Sequence, residues 1–170
     1  MLLLKQTSSV AYLLLHRQLR NLEHLVLTAS YSVQVGDKTS DTRKFSQADL
    51  DIFSKLSGDT NSIHSSAFSS GSSPFPRPVV HGALMNAFVS GIIGTKLPGE
   101  GSLVFSQSLK FVRPLYVETT MSAEVEIVSI KKRFIECSIK CLEEETGKLL
   151  ISGTATVVFN SRSPCDSKRI

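Results

Sequence analysis

Ala83-Leu84-Met85-Asn86-Ala87-Phe88-Val89-Ser90-Gly91-Ile92-Ile93-Gly94-Thr95-Lys96 is almost wholly apolar and small. A helix apolar on all sides is a buried one, so this run predicts a central helix. The remainder of the chain reads as strand upon strand. Leu103 to Phe111 comes first and is closed by Arg113-Pro114. Met121 to Ile130 alternates Ala123, Val125 and Ile127 with Ser122, Glu124 and Glu126; Phe134 to Cys141 alternates Ile135, Cys137 and Ile139 with Glu136, Ser138 and Lys140. That period of two marks strands with one wet face. Glu143 to Lys148, with Gly147, reads as a turn, and Leu149 to Phe159 as a last long strand with Gly153, Ala155, Val157 and Phe159 on one side.

Upstream of the helix, Tyr31 to Phe45 is polar and tolerant of extended structure, consistent with one or two short strands around a turn at Gly36-Asp37. Ser46-Gln47-Ala48-Asp49 has capping-box spacing with Asp in place of Glu, and Leu50, Phe53 and Leu56 give a short helix an apolar face that ends at Ser57-Gly58. Residues 65 to 78 are a Ser-, Pro- and Gly-rich loop. One buried helix followed by three or four antiparallel strands predicts an α+β fold, a curved antiparallel sheet wrapped around the helix, which is the hot-dog architecture. The chain of 170 residues can bury one core and is short for two domains of ordinary size. The expected division is a leader over 1–30, one domain over 31–160 and a polar tail over 161–170.

The leader is rich in Leu, Ser and Thr with spaced Lys5, Arg17 and Arg20 against the single acid Glu23. On a helix Leu14, Leu15 and Leu19 would face away from the two arginines, the pattern of a mitochondrial transit peptide, which predicts a matrix location. A secretory signal would place its basic residues before the apolar run, whereas Arg17 and Arg20 come after it. Beyond residue 36 the balance is 16 basic against 14 acidic residues, with no Trp and no basic stripe interleaved with aromatics. A nucleic-acid partner is therefore not expected. Apolar stretches fall well short of the roughly 20 residues that cross a bilayer, so no membrane partner is expected either. Cys137, Cys141 and Cys165 fit neither a metal-ligand spacing nor a disulfide framework, and the first two occupy inward strand positions.

The chemistry concentrates in Ser57-Gly58-Asp59-Thr60-Asn61-Ser62-Ile63-His64 and in Arg77-Pro78-Val79-Val80-His81-Gly82. A short turn separates Asp59 from His64, so a carboxyl and an imidazole can converge on one small volume, as acid–base work on a bound substrate requires. Gly82 opens the apolar helix, whose first N–H groups have no acceptor in their own helix and can polarise a carbonyl oxygen. Together these parts suit dehydration of a 3-hydroxyacyl thioester, or its reverse. Taken singly, each has an ordinary reading. Asp59 fits a turn, His64 a loop with a satisfied hydrogen bond, Gly82 a tight helix start, and His81 a structural position. Lys131-Lys132-Arg133 reads as a solvated hairpin turn, although a basic cluster could also dock an acidic carrier protein.

In order along the chain, Ser-Gly-Asp-x-Asn-x-x-His, Arg-Pro-Val-Val-His-Gly, Ser90-Gly91-Ile92-Ile93-Gly94, Leu97-Pro98-Gly99 and Ser106-Gln107-Ser108-Leu109-Lys110-Phe111 resemble the MaoC-like, R-specific enoyl-CoA hydratase family from about Val35 to Phe159. The resemblance implies Asp59 and His64 as catalytic residues, Asn61 as a supporting residue, the Gly82 N–H on the thioester carbonyl, and Ser90 and Ile93 in the acyl pocket. It implies no metal and no organic cofactor. Joined to the leader, it implies a homodimeric (3R)-hydroxyacyl-[acyl-carrier-protein] dehydratase of mitochondrial fatty acid synthesis, with an R-specific enoyl-CoA hydratase of β-oxidation as the alternative. The family usually carries Pro where Ser62 stands and an acid where Ser66 stands. Those two departures support a third reading, a non-catalytic protein that binds acyl thioesters.

Overall fold

The computed structural model describes residues 33–68 and 73–159. The expected leader and the polar tail lie outside these residues. Strand β1 (Lys38–Lys44) leads into helix α1 (Gln47–Ser57), a single 3₁₀ turn (Ser62–His64) and helix α2 (Gly82–Thr95). Strands β2 (Ser102–Phe111), β3 (Thr120–Lys131), β4 (Phe134–Glu143) and β5 (Leu149–Phe159) complete the chain. They form one sheet in the order β1-β3-β4-β5-β2. Every neighbouring pair is antiparallel. This is the hot-dog arrangement, with four strands after α2. Between Val33 and Phe45 there is a single strand rather than two, because Gly36 and Asp37 already bond to Ile127 in β3 and leave only Lys38 onward to extend the pairing.

The alternation read from β3 and β4 is the burial observed. Met121, Ala123, Val125 and Ile127, with Ile135, Cys137, Ile139 and Cys141, are all at most 2% exposed and face the helix. From α2 come Met85, Val89, Ile92 and Ile93, spaced so that one stripe meets the sheet. The opposite face of α2, with Ala83, Ala87, Ser90 and Gly91, is open in the single chain. Among the described residues, no helix is long and apolar enough to cross a membrane.

Helix α1 begins where its sequence says it should. The Ser46 hydroxyl accepts from Asp49 N–H at 3.2 Å, and the Asp49 carboxylate accepts from Ser46 N–H at 2.8 Å, so two end amides are satisfied reciprocally. Those bonds to Ser46 hold the Asp49 carboxyl below its ordinary value of 3.8. A depressed carboxyl contributes stability above its unfolded-chain value that is lost as pH falls through the lower folded one, so this cap weakens only in acid. Ser46→Ala is expected to cost about 1 kcal/mol, read as a shift of the denaturant midpoint at neutral pH. At the other end Gly58 takes φ 78°, a conformation that a residue with a Cβ resists, and turns the chain into Asp59.

Burial also decides the cysteines. Removal from water, aided at Cys137 by Glu136, pushes the thiols of Cys137 and Cys141 up to about 11. Thiolate is the reactive form. A thiol reagent at neutral pH is therefore expected to leave both unmodified until denaturant is added. Modification of all three cysteines at one rate in the native protein would contradict this packing.

Candidate active site

Helix α1 ends at the αL glycine, and the next residues organise themselves through short-range bonds. Asn61 N–H donates to Asp59 Oδ1 at 3.2 Å, and Ile63 N–H to Asn61 Oδ1 at 3.3 Å. Asn61 thus caps the 3₁₀ turn that carries His64. The turn is tied to α1 by Gln47, whose side-chain amide donates to His64 C=O at 2.9 Å. It is tied to the segment before α2 as well, because Val79 N–H donates to Ile63 C=O at 2.9 Å. Ser62 occupies the first position of this turn and its C=O accepts from Ser65 N–H at 3.1 Å, so the motif closes without proline.

His64 is 8% exposed, and its Nδ1 lies 2.6 Å from Val79 C=O. A carbonyl oxygen only accepts, so Nδ1 carries the proton and Nε2 of the neutral ring presents a lone pair. That Nε2 is 3.7 Å from Asp59 Oδ2. The carboxyl is half exposed while the imidazole is buried, so the pair sits at the rim of the interior. Asp59 and His64 are therefore brought together.

A cleft of about 310 Å³ opens beside them, walled by His64, Val79, Val80, Gly82, Met85, Phe75, Phe111 and Arg113 among others. Gly82 is the first residue of α2, where N–H groups have no acceptor in their own helix and the helix dipole is positive. A Cβ built on Gly82 would stand 3.1 Å from the Phe111 ring, so glycine here lets β2 close against the helix start. His64 and the Gly82 helix start thus line one cleft, and Asp59, which is not among its walls, adjoins it through the 3.7 Å contact with His64. Ser90 lies elsewhere, on the open face of α2, and Ile93 is fully buried in the core; neither is among the residues walling this cleft. A second groove, of about 390 Å³, runs between α2 and β1 with Arg43, Phe45, Phe88 and Lys96 on its walls. It is the larger of the two, but it contains neither Asp59 nor His64.

His81 is the residue whose proximity the sequence concealed. It is 2% exposed, and its ring stacks on His64 with centroids 3.7 Å apart and planes inclined by 22°. Burial first, and the neighbouring His64 second, hold it below the ordinary histidine value of 6.5, so it is neutral at physiological pH. What brings the two rings together is a bridge between Val79 and Tyr116, with Val80 N–H donating to Leu115 C=O and Val117 N–H to Pro78 C=O. No periodicity signals an isolated bridge. Only the spacing of two histidines around a Val-Val pair could have hinted at it.

Ligand-capable atoms of Asp59, His64 and His81 lie within 4.8 Å of one another. Three such groups could in number hold a transition metal. Their orientation suits one poorly, because stacked imidazoles direct their in-plane lone pairs along near-parallel lines rather than at one shared ion.

Comparison with known proteins identifies the family and the fold. Residues 31–148 match the family described as MaoC like domain. An (R)-specific enoyl-CoA hydratase of Aeromonas caviae is 33% identical over 130 residues, covering 76% of this chain and 97% of the relative. A mitochondrial 3-hydroxyacyl-[acyl-carrier-protein] dehydratase of Arabidopsis thaliana is 29% identical over 131 residues, covering 75% and 78%. Among solved structures, the (R)-hydratase from A. caviae involved in PHA biosynthesis superimposes with a TM-score of 0.72 at 32% identity, over 76% of this chain and 98% of that one.

Proposed function

This chain belongs to the MaoC-like family, and from that premise we propose that it is a hydro-lyase that removes water from a (3R)-hydroxyacyl thioester or adds it to the trans-2-enoyl thioester. The observation that carries the reading is the approach of His64 Nε2 to Asp59 Oδ2, 3.7 Å, beside a cleft that Gly82 also lines. In the dehydration direction the thioester carbonyl accepts from Gly82 N–H, which stabilises the enolate-like oxygen. His64 Nε2 takes the proton from C2 while the Asp59 carboxylic acid gives its proton to the C3 hydroxyl, which leaves as water. The step ends with an imidazolium beside a carboxylate. Return of the proton from His64 to Asp59 across their contact resets the site, and no cofactor enters the balance.

The substrate we favour is linked to acyl-carrier protein, in mitochondrial fatty acid synthesis. The leader-like residues 1–30 and the mitochondrial Arabidopsis relative support it. A CoA-linked substrate is the second reading, favoured by the Aeromonas relative. Both carriers present the same thioester, so rates with matched crotonyl-carrier-protein and crotonyl-CoA separate the two. Turnover with neither, alongside saturable binding of both, would replace the enzyme with a binding protein. The working unit we propose is a homodimer. Strand β2 is a sheet edge carrying exposed Leu103 and Phe105, and a second copy would cover it. Light scattering during size exclusion is expected to give twice the chain mass, and a monomer would overturn that assignment.

A further inference from the structure

His81 has no part in the proton transfers above, yet it is one of only two buried polar or charged residues among those described, and the other is His64. Its Nε2 lies 3.2 Å from Ser54 Oγ, and Phe53 meets its ring edge-on at 5.0 Å, so α1 holds it from two positions. No well-formed hydrogen bond reaches its Nδ1 among the described residues, and the Asp59 backbone near the ring only partly offsets the burial that disfavours a proton there. A histidine placed chiefly for its hydrogen bonds would not leave a ring nitrogen without a well-formed one in the interior. What the placement uses is the flat face of the ring. His64, for its part, is held by one in-plane bond through Nδ1, and a single such bond leaves the ring free to tilt about it.

We propose that His81 is a positioning residue for His64, a neutral aromatic plate that fixes the plane of the base and lies against the charge that the base acquires on taking a proton from carbon. The proposal rests on the reading of His64 as that base. The face of an aromatic ring accommodates a cation, and a plate already clamped by Ser54 and Phe53 needs no rearrangement when the imidazolium forms. The groups facing His81 fit this role. Asp59 and His64 are the titratable ones, α1 contributes only the uncharged Ser54 and Phe53, and Arg113 is a wall of the cleft that His64 lines. Burial and the adjacent ring both disfavour a proton on His81, so the two imidazoles are not charged together.

The test is crotonyl-thioester hydration by the full chain carrying His81→Leu, His81→Phe or Ser54→Ala, with His64→Ala run in parallel. Because misplacing a reacting group by about 1 Å costs on the order of 10²-fold, His81→Leu, which keeps bulk but loses the plate, is expected to lower kcat by about 10- to 100-fold with KM within about twofold. His81→Phe, which restores a flat ring, is expected to recover kcat to within about threefold of wild type, and Ser54→Ala to lose several-fold with KM unchanged. Wild-type kcat in His81→Leu, equal losses in the Leu and Phe variants, or a loss confined to KM would each overturn the proposal. If His81→Leu does not fold, the other two decide, and wild-type kcat in Ser54→Ala overturns it. A His64→Ala variant as fast as wild type would instead defeat the underlying assignment of the base.

Discussion

Asp59→Asn is expected to lower the rate of thioester hydration at least 10²-fold while leaving the fold unchanged, because it removes a transferable proton and little else. Asp59 is half exposed, and the bond its Oδ1 accepts from Asn61 N–H can be accepted equally by an asparagine carbonyl. The turn that carries His64 therefore keeps its geometry. General acid–base groups contribute typically 10²–10⁴-fold, which sets the size of the loss. His64→Ala is expected to lose as much activity but is a less clean probe. It leaves Val79 C=O without its side-chain partner and His81 without the ring it stacks on, so some stability goes with the rate. Kinetics and melting curves on the same preparations check both: a loss of rate in Asp59→Asn smaller than about tenfold would remove the carboxyl from the mechanism.

The second large effect is expected at a residue remote from the chemistry. A Cβ on Gly153 in β5 would run into Ser108 C=O and stand 2.9 Å from Leu109 Cα in β2, both backbone atoms that cannot swing aside. Gly153→Ala must push β2 away from β5. Overpacking in a core costs about 1–3 kcal/mol when side chains can yield, and a backbone collision of this kind is expected to reach about 3 kcal/mol or more. The consequence reaches the site, because β2 ends at Phe111, which walls the cleft and closes against Gly82. Thermal unfolding is expected to show a drop of several degrees together with a weakened KM. A variant as stable as wild type would contradict the register that pairs Gly153 with Leu109.

Much of this architecture was legible from residue order because it rests on local physics. The Ser46–Asp49 box, the αL glycine after α1, the apolar run of α2 and the alternation through β3 and β4 each signal themselves within a few positions. The meeting of Asp59 and His64 was legible for the same reason, since the four residues between them leave little room to part. What escaped depends on contacts between distant segments. Gly153 looks like one small residue among several in a strand until β2 is laid against it, and the exposed face of α2 appears only when the sheet is seen to cover one side. His81 read as structural because nothing near it in the chain announces the Val79–Tyr116 bridge or the stack on His64.

Hydration of a crotonyl thioester in heavy water, with the product's stereochemistry read by NMR, tests most directly whether one carboxyl and one imidazole on the same side of the cleft perform the reaction. Groups 3.7 Å apart can deliver deuterium to C2 and oxygen to C3 only on a common face. The expected product therefore has both additions syn, and the specificity proposed from the (R)-specific relative makes it the (3R)-hydroxy thioester. Anti addition, or the (3S) product, would contradict the account.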